Sequence, residues 1–171
     1  SLEATKAALL KLSTDEVRDL VKKFGDGAAR AMEAGFDAIE VIASTGYLIA
    51  QFLSPLTNRR TDEYGGSFEN RLRFPLEILA EIRRRVGQDY PLIYRLSGDE
   101  FMKGGNALDE CVAIAQRLAE AGLDAVDVQV GWHEAGVPTV WMSVPRGAFV
   151  YLAETIKETV KVPVITCNRI N

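Results

Sequence analysis

Apolar and polar positions alternate between a helical and a strand-like period along most of this chain. Residues 13–35 repeat apolar side chains at helical spacing behind Ser13-Thr-Asp-Glu16, a capping-box sequence, and so predict a helix of about twenty residues. Further helices are predicted from residue 67 or 68 to 86, at 107–121 with Asn106 as its cap, and at 146–160. The predicted strands are 37–43, 92–96, 125–130 and 162–167, and a long polar segment, 45–71, follows the first of them.

This alternation of helices and strands predicts a parallel sheet with crossover helices, because a hairpin cannot join parallel strands. A doubly wound sheet would usually carry a glycine-rich phosphate turn after its first strand, where this chain has Ser44-Thr-Gly-Tyr47. Residues 33–41 and 120–128 are near copies of one helix-to-strand unit, which favours a (β/α) barrel.

Four helix–strand units are about half of an eight-unit barrel, which takes about 250 residues. The expected fold class is therefore α/β, a partial (β/α)8 TIM barrel, in a single partial domain over residues 1–171 with residues 1–12 poorly defined. A half barrel leaves two sheet edges and the apolar inner face of its strands uncovered. We expect either a fragment of a longer enzyme or self-association through the open edges.

The composition excludes several classes of function. The formal net charge is −4 with no basic stripe, so nucleic acid is not an expected partner. The sequence has no apolar run near the roughly 20 residues needed to cross a membrane, and its start lacks the apolar core of a signal peptide, so a cytoplasmic location is expected. Cys111 and Cys167 show neither a CxxC nor metal-ligand spacing, which indicates two reduced core thiols and no metal site.

Candidate functional residues follow from one rule of barrel geometry, which places the chemistry at the carboxyl ends of the strands. Tyr47 follows the first predicted strand, Arg95 ends the second, His133 follows the third and Arg169 follows the fourth. A hydroxyl acid, an imidazole and two fixed cations suit an anionic cofactor and proton transfer to a carbanion or enolate.

Each of these residues also has a structural interpretation. A lone histidine such as His133 is often structural, Tyr47 is placed to pack, and Arg169 could be solvated. Arg95 interrupts an apolar strand, so its charge requires an acceptor: a ligand phosphate, a flavin-type ring carbonyl or a carboxylate such as Asp99.

Residues 46–71, from Gly-Tyr-Leu-Ile-Ala-Gln-Phe to Gly-Gly-Ser-Phe-Glu-Asn-Arg, resemble the signature of the Old Yellow Enzyme family of flavin-dependent barrels. Residues 131–139, 144–149 and 162–171 resemble its 2,4-dienoyl-CoA reductase branch. The similarity covers nearly the whole chain after Leu12 and corresponds to about strands four to seven of that barrel.

The resemblance implies a role for each strand-end residue. Tyr47 would donate a proton to the substrate α-carbon, with His133 as its partner. Arg95 would hold the FMN ring near N1 and O2, and Arg169 would contact the FMN phosphate. The acyl-CoA channel would be lined by Leu56, Thr57, Asn58, Arg59, Glu134, Ala135, Gly136 and Val137.

The resemblance also implies an activity and its cofactors. The parent enzyme would be an NAD(P)H-dependent FMN oxidoreductase that reduces a C=C bond conjugated to a thioester, as in fatty acid β-oxidation, on an acyl-CoA or enoate substrate. This branch also uses FAD, NADPH and a 4Fe–4S cluster, whose sites this sequence lacks, since two cysteines cannot hold a four-iron cluster.

Two departures from the family pattern bear on the substrate. Simple ene-reductases carry a histidine pair, or histidine and asparagine, where this chain has Ile42 and Thr45, and the dienoyl-CoA reductase branch uses the later histidine, here His133. Two residues before the tyrosine, that branch carries a carboxylate where this chain has Thr45. The alternatives are another ene-reductase or 2-enoate reductase, and a noncatalytic self-associating half barrel.

Overall fold

Four parallel strands in sequential order form the single sheet of the computed structural model, which describes residues 1–137 and 139–170. The strands are β1 (Ile39–Ala43), β2 (Leu92–Ser97), β3 (Ala125–Gln129) and β4 (Val164–Thr166). The described helices are α1 (Leu2–Lys11), α2 (Thr14–Glu33), α3 (Leu48–Leu53), α4 (Phe68–Val86), α5 (Leu108–Glu120) and α6 (Val150–Thr159). The predicted α/β class and partial TIM barrel are confirmed.

Local sequence signals explain the two long helices. Ser13 Oγ accepts a hydrogen bond from the Glu16 amide at 3.2 Å, and the Glu16 carboxylate accepts one from the Ser13 amide at 2.8 Å, so the predicted capping box forms. Helix α4 begins after its cap Ser67 and runs through Pro75 to Val86. Helices α2 and α4 pack together. No helix in the described ranges is long and apolar enough to cross a membrane.

The structure corrects several element boundaries. Ala107, rather than Asn106, is the cap of α5, because the Asn106 side chain donates instead to Glu100 Oε1 at 2.8 Å. Helix α6 begins at Val150 instead of residue 146, because the preceding residues turn back on the loop after β4, where the Gly147 amide donates to the Arg169 carbonyl at 2.6 Å. Helices α1 and α3 are not among the predicted elements, and α3 lies inside segment 45–71, which was expected to be a loop.

The two faces of the sheet differ in chemistry. Side chains on the convex face pack against the helices and are buried, among them Val41, Tyr94, Leu96, Val126 and Val128. The concave face, which would point into a closed barrel, was expected to be apolar, and its Ile42 and Ile165 are exposed. Its centre, however, is charged, because Arg95 forms ion pairs with Glu40 and Asp127.

Gly98, directly after β2, has no room for a side chain. A Cβ there would lie 2.8 Å from both Leu152 Cβ and Val128 Cγ1, so Gly98→Ala should lower the free energy of unfolding by about 1–3 kcal/mol. Urea unfolding followed by circular dichroism measures this change. Gly136→Ala is the matched control, because a Cβ there meets no described atom within 4 Å. Equal unfolding midpoints for the two variants would contradict the prediction.

Candidate functional site

The loops after β1 and β3 meet across the end of β2. Thr45 and Trp132 form a parallel backbone bridge, and the His133 amide lies 3.5 Å from the Thr45 carbonyl oxygen. The Ser97 hydroxyl at the end of β2 accepts a hydrogen bond from the Thr45 amide at 3.3 Å. Two loops that belong to non-adjacent strands are thereby brought into contact.

The chain turns sharply as it leaves β1. Thr45 has φ +54° and Gly46 has φ +86°, and a β-branched residue in the left-handed region is a strained outlier of the kind found at functional sites. Glycine is required next, because a Cβ at Gly46 would lie 3.1 Å from Trp132 Cε3. The turn presents Tyr47 as the cap of α3, with 51% of its surface exposed.

Tyr47 and His133 face each other at this crossing. The Tyr47 hydroxyl lies 3.4 Å from His133 Nε2, and the two rings are perpendicular with centroids 5.4 Å apart. The structure thus brings together two of the four predicted strand-end residues. A hydroxyl and an imidazole at this separation can share and transfer a proton.

A pocket of about 550 Å³ opens beside this pair. Ala135, Gly136 and Val137, three of the predicted substrate residues, line it, whereas Glu134 lies against Gly46, with Oε2 3.4 Å from where a Cβ would be. The remaining lining residues are Thr45, Gln129, Val130, Trp132, His133, Thr139, Val140 and Trp141. The walls combine apolar side chains with the polar groups of Thr45, Gln129, His133 and Thr139.

The other predicted substrate segment, Leu56 to Arg59, does not line this pocket. Thr57 Oγ1 donates to the Gln51 carbonyl at 2.8 Å, and the buried Asn58 amide donates to the carbonyls of Phe52 and Tyr64 at 2.7 and 2.8 Å. These two side chains shape the turn after α3. Leu56 is partly buried and Arg59 is exposed, and the contact of the segment with substrate stays a prediction.

Arg95 lies on the concave face, and its acceptors are carboxylates, as one of the alternatives expected, although Asp99 is not among them. Its Nε donates to Asp127 at 2.8 Å and its Nη2 pairs with Glu40 at 3.0 Å, while Asp99 accepts from the Phe101 amide. Burial lowers the pKa of the Arg95 guanidinium, but Asp127 and then Glu40 outweigh it and leave the pKa above its usual value. The Asp99 alternative is therefore wrong.

The concave face offers groups suited to the pyrimidine edge of a flavin. Arg95 keeps 36% of its side chain exposed, which leaves a cation accessible to ring oxygens. Asp127, which accepts from Arg95, is buried beneath it, and its Oδ1 has no partner in residues 1–137 and 139–170. Arg169 lies beyond β4, where its Nε donates to the Val144 carbonyl at 3.1 Å. The donor set fits FMN.

The cysteines differ in their surroundings. Cys111 is buried in α5 as predicted, whereas Cys167 lies after β4 and is partly exposed. Burial, followed by the charge of Asp127, raises the pKa of the Cys167 thiol to about 11. No group of three or more His, Cys, Asp or Glu in the described ranges is placed to hold a metal ion.

Sequence reasoning missed Glu100, a buried carboxyl group that joins the loops around the site. It accepts hydrogen bonds from the Ser54 hydroxyl at 2.7 Å and from the Asn106 amide and side chain at 3.0 and 2.8 Å. Its carbonyl also accepts from the Trp132 amide at 3.1 Å. Burial raises its pKa to about 7 against the opposing effect of Ser54 and Asn106. A single glutamate between a strand and a helix carries no motif that would have revealed this.

Residues 3–171 match the family described as NADH:flavin oxidoreductase / NADH oxidase. Among curated proteins, a metal reductase of Desulforamulus reducens is 49% identical over 95% of this chain and 24% of its own length. An NADH oxidase of Thermoanaerobacter brockii is 50% identical over 91% and 24%, and a cinnamate reductase of Clostridium sporogenes is 39% identical over 93% and 26%. The chain thus spans about a quarter of the length of these relatives.

Two solved structures extend the comparison to the fold. A 2-naphthoyl-CoA reductase in complex with 2-naphthoyl-CoA superposes with a TM-score of 0.91 and 38% identity, over 94% of this chain and 24% of that one. An old yellow enzyme homologue from Zymomonas mobilis gives a TM-score of 0.73 and 25% identity, over 92% and 43%. The partial barrel seen here therefore recurs within both of these longer chains.

The raised pKa of Glu100 predicts a pH-dependent stability. Between about pH 4.5 and pH 7 the folded chain keeps a proton that the unfolded chain has released, so stability falls as pH rises through this window. We expect Glu100 to contribute a loss of roughly 2–3 kcal/mol, which Glu100→Gln should remove because an amide does not ionise there.

Urea unfolding at pH 4.5 and pH 7.5 measures this contribution. Glu158→Gln, a substitution of an exposed glutamate, is the control and should retain the full pH dependence of the unmodified chain. If the Glu100→Gln variant lost as much stability over this range as the control, Glu100 would not be the titrating group.

Proposed function

The chain belongs to the NADH:flavin oxidoreductase / NADH oxidase family, and we propose that it forms the central part of an NAD(P)H-dependent FMN enzyme that reduces a C=C bond conjugated to a carbonyl group. The observation that carries this proposal is the Tyr47 hydroxyl facing His133 Nε2 at 3.4 Å, with His133 lining a pocket of about 550 Å³. The names of two relatives, a cinnamate reductase and a 2-naphthoyl-CoA reductase, support it, since both substrates carry unsaturation conjugated to a carboxyl or thioester carbon.

Tyr47, with His133 as its partner, would supply the proton that the reduction requires. When bound, FMN supplies the hydride that enters the distal carbon of the conjugated system. Tyr47 is half exposed and faces His133, which lines the pocket, so its hydroxyl would protonate the carbon next to the carbonyl. His133 can hold that hydroxyl through Nε2 and can donate to the carbonyl oxygen as negative charge develops there.

Arg95 and Arg169 would hold the cofactor. Arg95 is the accessible guanidinium of the concave face, and a fixed cation at the ring's N1 and O2 edge would favour the anionic reduced form. Arg169 follows β4, where barrels of this kind build their phosphate sites. Its Nε already donates to Val144, which would orient the remaining guanidinium donors for a phosphate.

We propose 2,4-dienoyl-CoA thioesters as the substrate class. Ile42 and Thr45 occupy the positions at which simple ene-reductases carry the histidine pair that binds an enone carbonyl. His133 would therefore bind the carbonyl oxygen here, as in the dienoyl-CoA reductase branch. The apolar pocket walls suit an unsaturated acyl chain, and the segments Leu56 to Arg59 and Glu134 to Val137 would line its approach. Aryl acrylates are the second candidate, since a cinnamate reductase is 39% identical over most of this chain.

The remaining cofactors and partners would lie outside these residues. FAD and a 4Fe–4S cluster would bind elsewhere in the parent protein, because two cysteines cannot hold the cluster. The rest of the barrel, or a second copy of this half, would cover the concave face and pair with the open edges of β1 and β4.

Tyr47→Phe tests the proton-transfer role. In the flavin-loaded parent protein we expect this change to slow substrate reduction by about 10²–10⁴-fold while NAD(P)H still reduces the flavin. Stopped-flow measurement of the two half-reactions separates these effects. Tyr151→Phe, at an exposed tyrosine of α6, is the control and should alter neither. Unchanged substrate reduction in the Tyr47→Phe variant would refute the assignment.

Competition between substrates tests the proposed class. We expect kcat/KM for a 2,4-dienoyl-CoA to exceed that for cinnamate by about tenfold or more, because the thioester stabilises the dienolate and the CoA adds contacts outside the pocket. A preference for cinnamate would select the aryl acrylate reductase, and turnover of neither would remove both candidates.

A further inference from the structure

Arg95 is bound differently from the buried arginines of this fold. Arg60, Arg71 and Arg83 are each at least nine-tenths buried, and each donates to backbone carbonyls. Arg83, for example, donates to the carbonyls of Tyr90 and Gly122 as well as to Asp124. These arginines tie loops to the fold, as structural arginines commonly do.

The partners of Arg95 in residues 1–137 and 139–170 are two carboxylates, and none is a backbone carbonyl. Nε donates to Asp127 on β3 and Nη2 pairs with Glu40 on β1, so one neighbouring strand on each side contributes an anion. Asp127 is only 3% exposed. An ion pair held on both sides directs the guanidinium but leaves its remaining donors unengaged.

The net charge of the cluster formed by Glu40, Arg95 and Asp127 is also unusual. One cation lies between two carboxylates, which gives a formal charge of −1 on the concave face. Burying Asp127 with one carboxylate oxygen unpaired costs free energy, and a purely structural ion pair would not need that arrangement. The arrangement is explained if the two carboxylates present Arg95 to a ligand and limit the net positive charge at that position.

We propose that Asp127 and Glu40 are positioning residues that aim the Arg95 guanidinium at bound FMN and lower the flavin's midpoint potential by offsetting the arginine's charge. This inference rests on the proposed function, which places FMN against Arg95. The carboxylates do not take part in hydride or proton transfer. They set how strongly a fixed cation favours the reduced, anionic cofactor over the oxidised one.

Asp127→Asn in the FMN-loaded parent protein tests the proposal. The substitution keeps the shape of the side chain and removes one negative charge, so reduced FMN should gain about tenfold in affinity relative to oxidised FMN. For a two-electron couple, that ratio corresponds to a rise of about 30 mV in midpoint potential. Glu40→Gln should shift the potential in the same direction by less, because Glu40 is more exposed to solvent than Asp127.

The control is Asp124→Asn, which removes the carboxylate partner of the structural arginine Arg83. It should leave the potential unchanged, although it also breaks an arginine–aspartate pair. The potential is measured by dye equilibration, and the dissociation constant of oxidised FMN by quenching of flavin fluorescence.

The outcomes separate this inference from the proposed function. If the parent protein bound no FMN, both would be overturned. If it bound FMN and the potentials of the Asp127→Asn and Glu40→Gln variants matched the unmodified protein, only the positioning role would be overturned. An equal shift in the Asp124→Asn variant would also overturn it, because the effect would then be general. A rise in the two concave-face variants alone would support it.

Discussion

The site depends on the backbone bridge between Thr45 and Trp132. Strands β1 and β3 are separated by β2, so their ends are about 10 Å apart at ordinary strand spacing and do not pair directly within the sheet. The bridge brings the two chain segments into direct backbone contact, because both loops cross over the end of β2 and pair there. The left-handed backbone at Thr45 is strained, whereas Gly46 adopts it freely, and this turn leads directly into Tyr47.

Glu100 is hydrogen-bonded to both of the chain segments that meet near the end of β2. Its carboxyl group binds Ser54, which follows α3, and its carbonyl binds the Trp132 amide, which precedes His133. Glu100, a single residue in the loop after β2, therefore holds in place both the segment that carries Tyr47 and the segment that carries His133. The burial that makes these hydrogen bonds strong also raises the pKa of the carboxyl group to about 7, so rigidity at the site is obtained at a cost in stability at neutral pH.

The sequence was sufficient for the fold and for part of the site, and the reasons differ by element. Helix α2 has a capping box and a long apolar period, and was predictable, whereas α3 has six residues, too few to show a period. Strand ends give the position of Tyr47 and His133, but their contact depends on a bridge that no local pattern encodes. Asn106 looked like a helix cap because asparagine favours caps, yet a buried carboxylate competed for its side chain. Glu40 and Asp127 lie on predicted strands, but only the register shows that they flank Arg95.

The charged centre of the concave face constrains whatever covers it. An apolar surface laid over this face would bury the exposed parts of Glu40 and Arg95 beside the already buried Asp127, at a cost of several kcal/mol. A covering group that brings N–H donors and acceptors avoids that cost, and the edge of a flavin ring offers both. The same reasoning applies to protein: a second copy of this chain, or any other polypeptide that covers the face, must place polar groups over this cluster, with apolar side chains confined to the exposed Ile42 and Ile165. Polarity at the centre and apolar contact beside it are thus conditions on any partner of this half barrel, because the burial free energy of the face would otherwise be unfavourable.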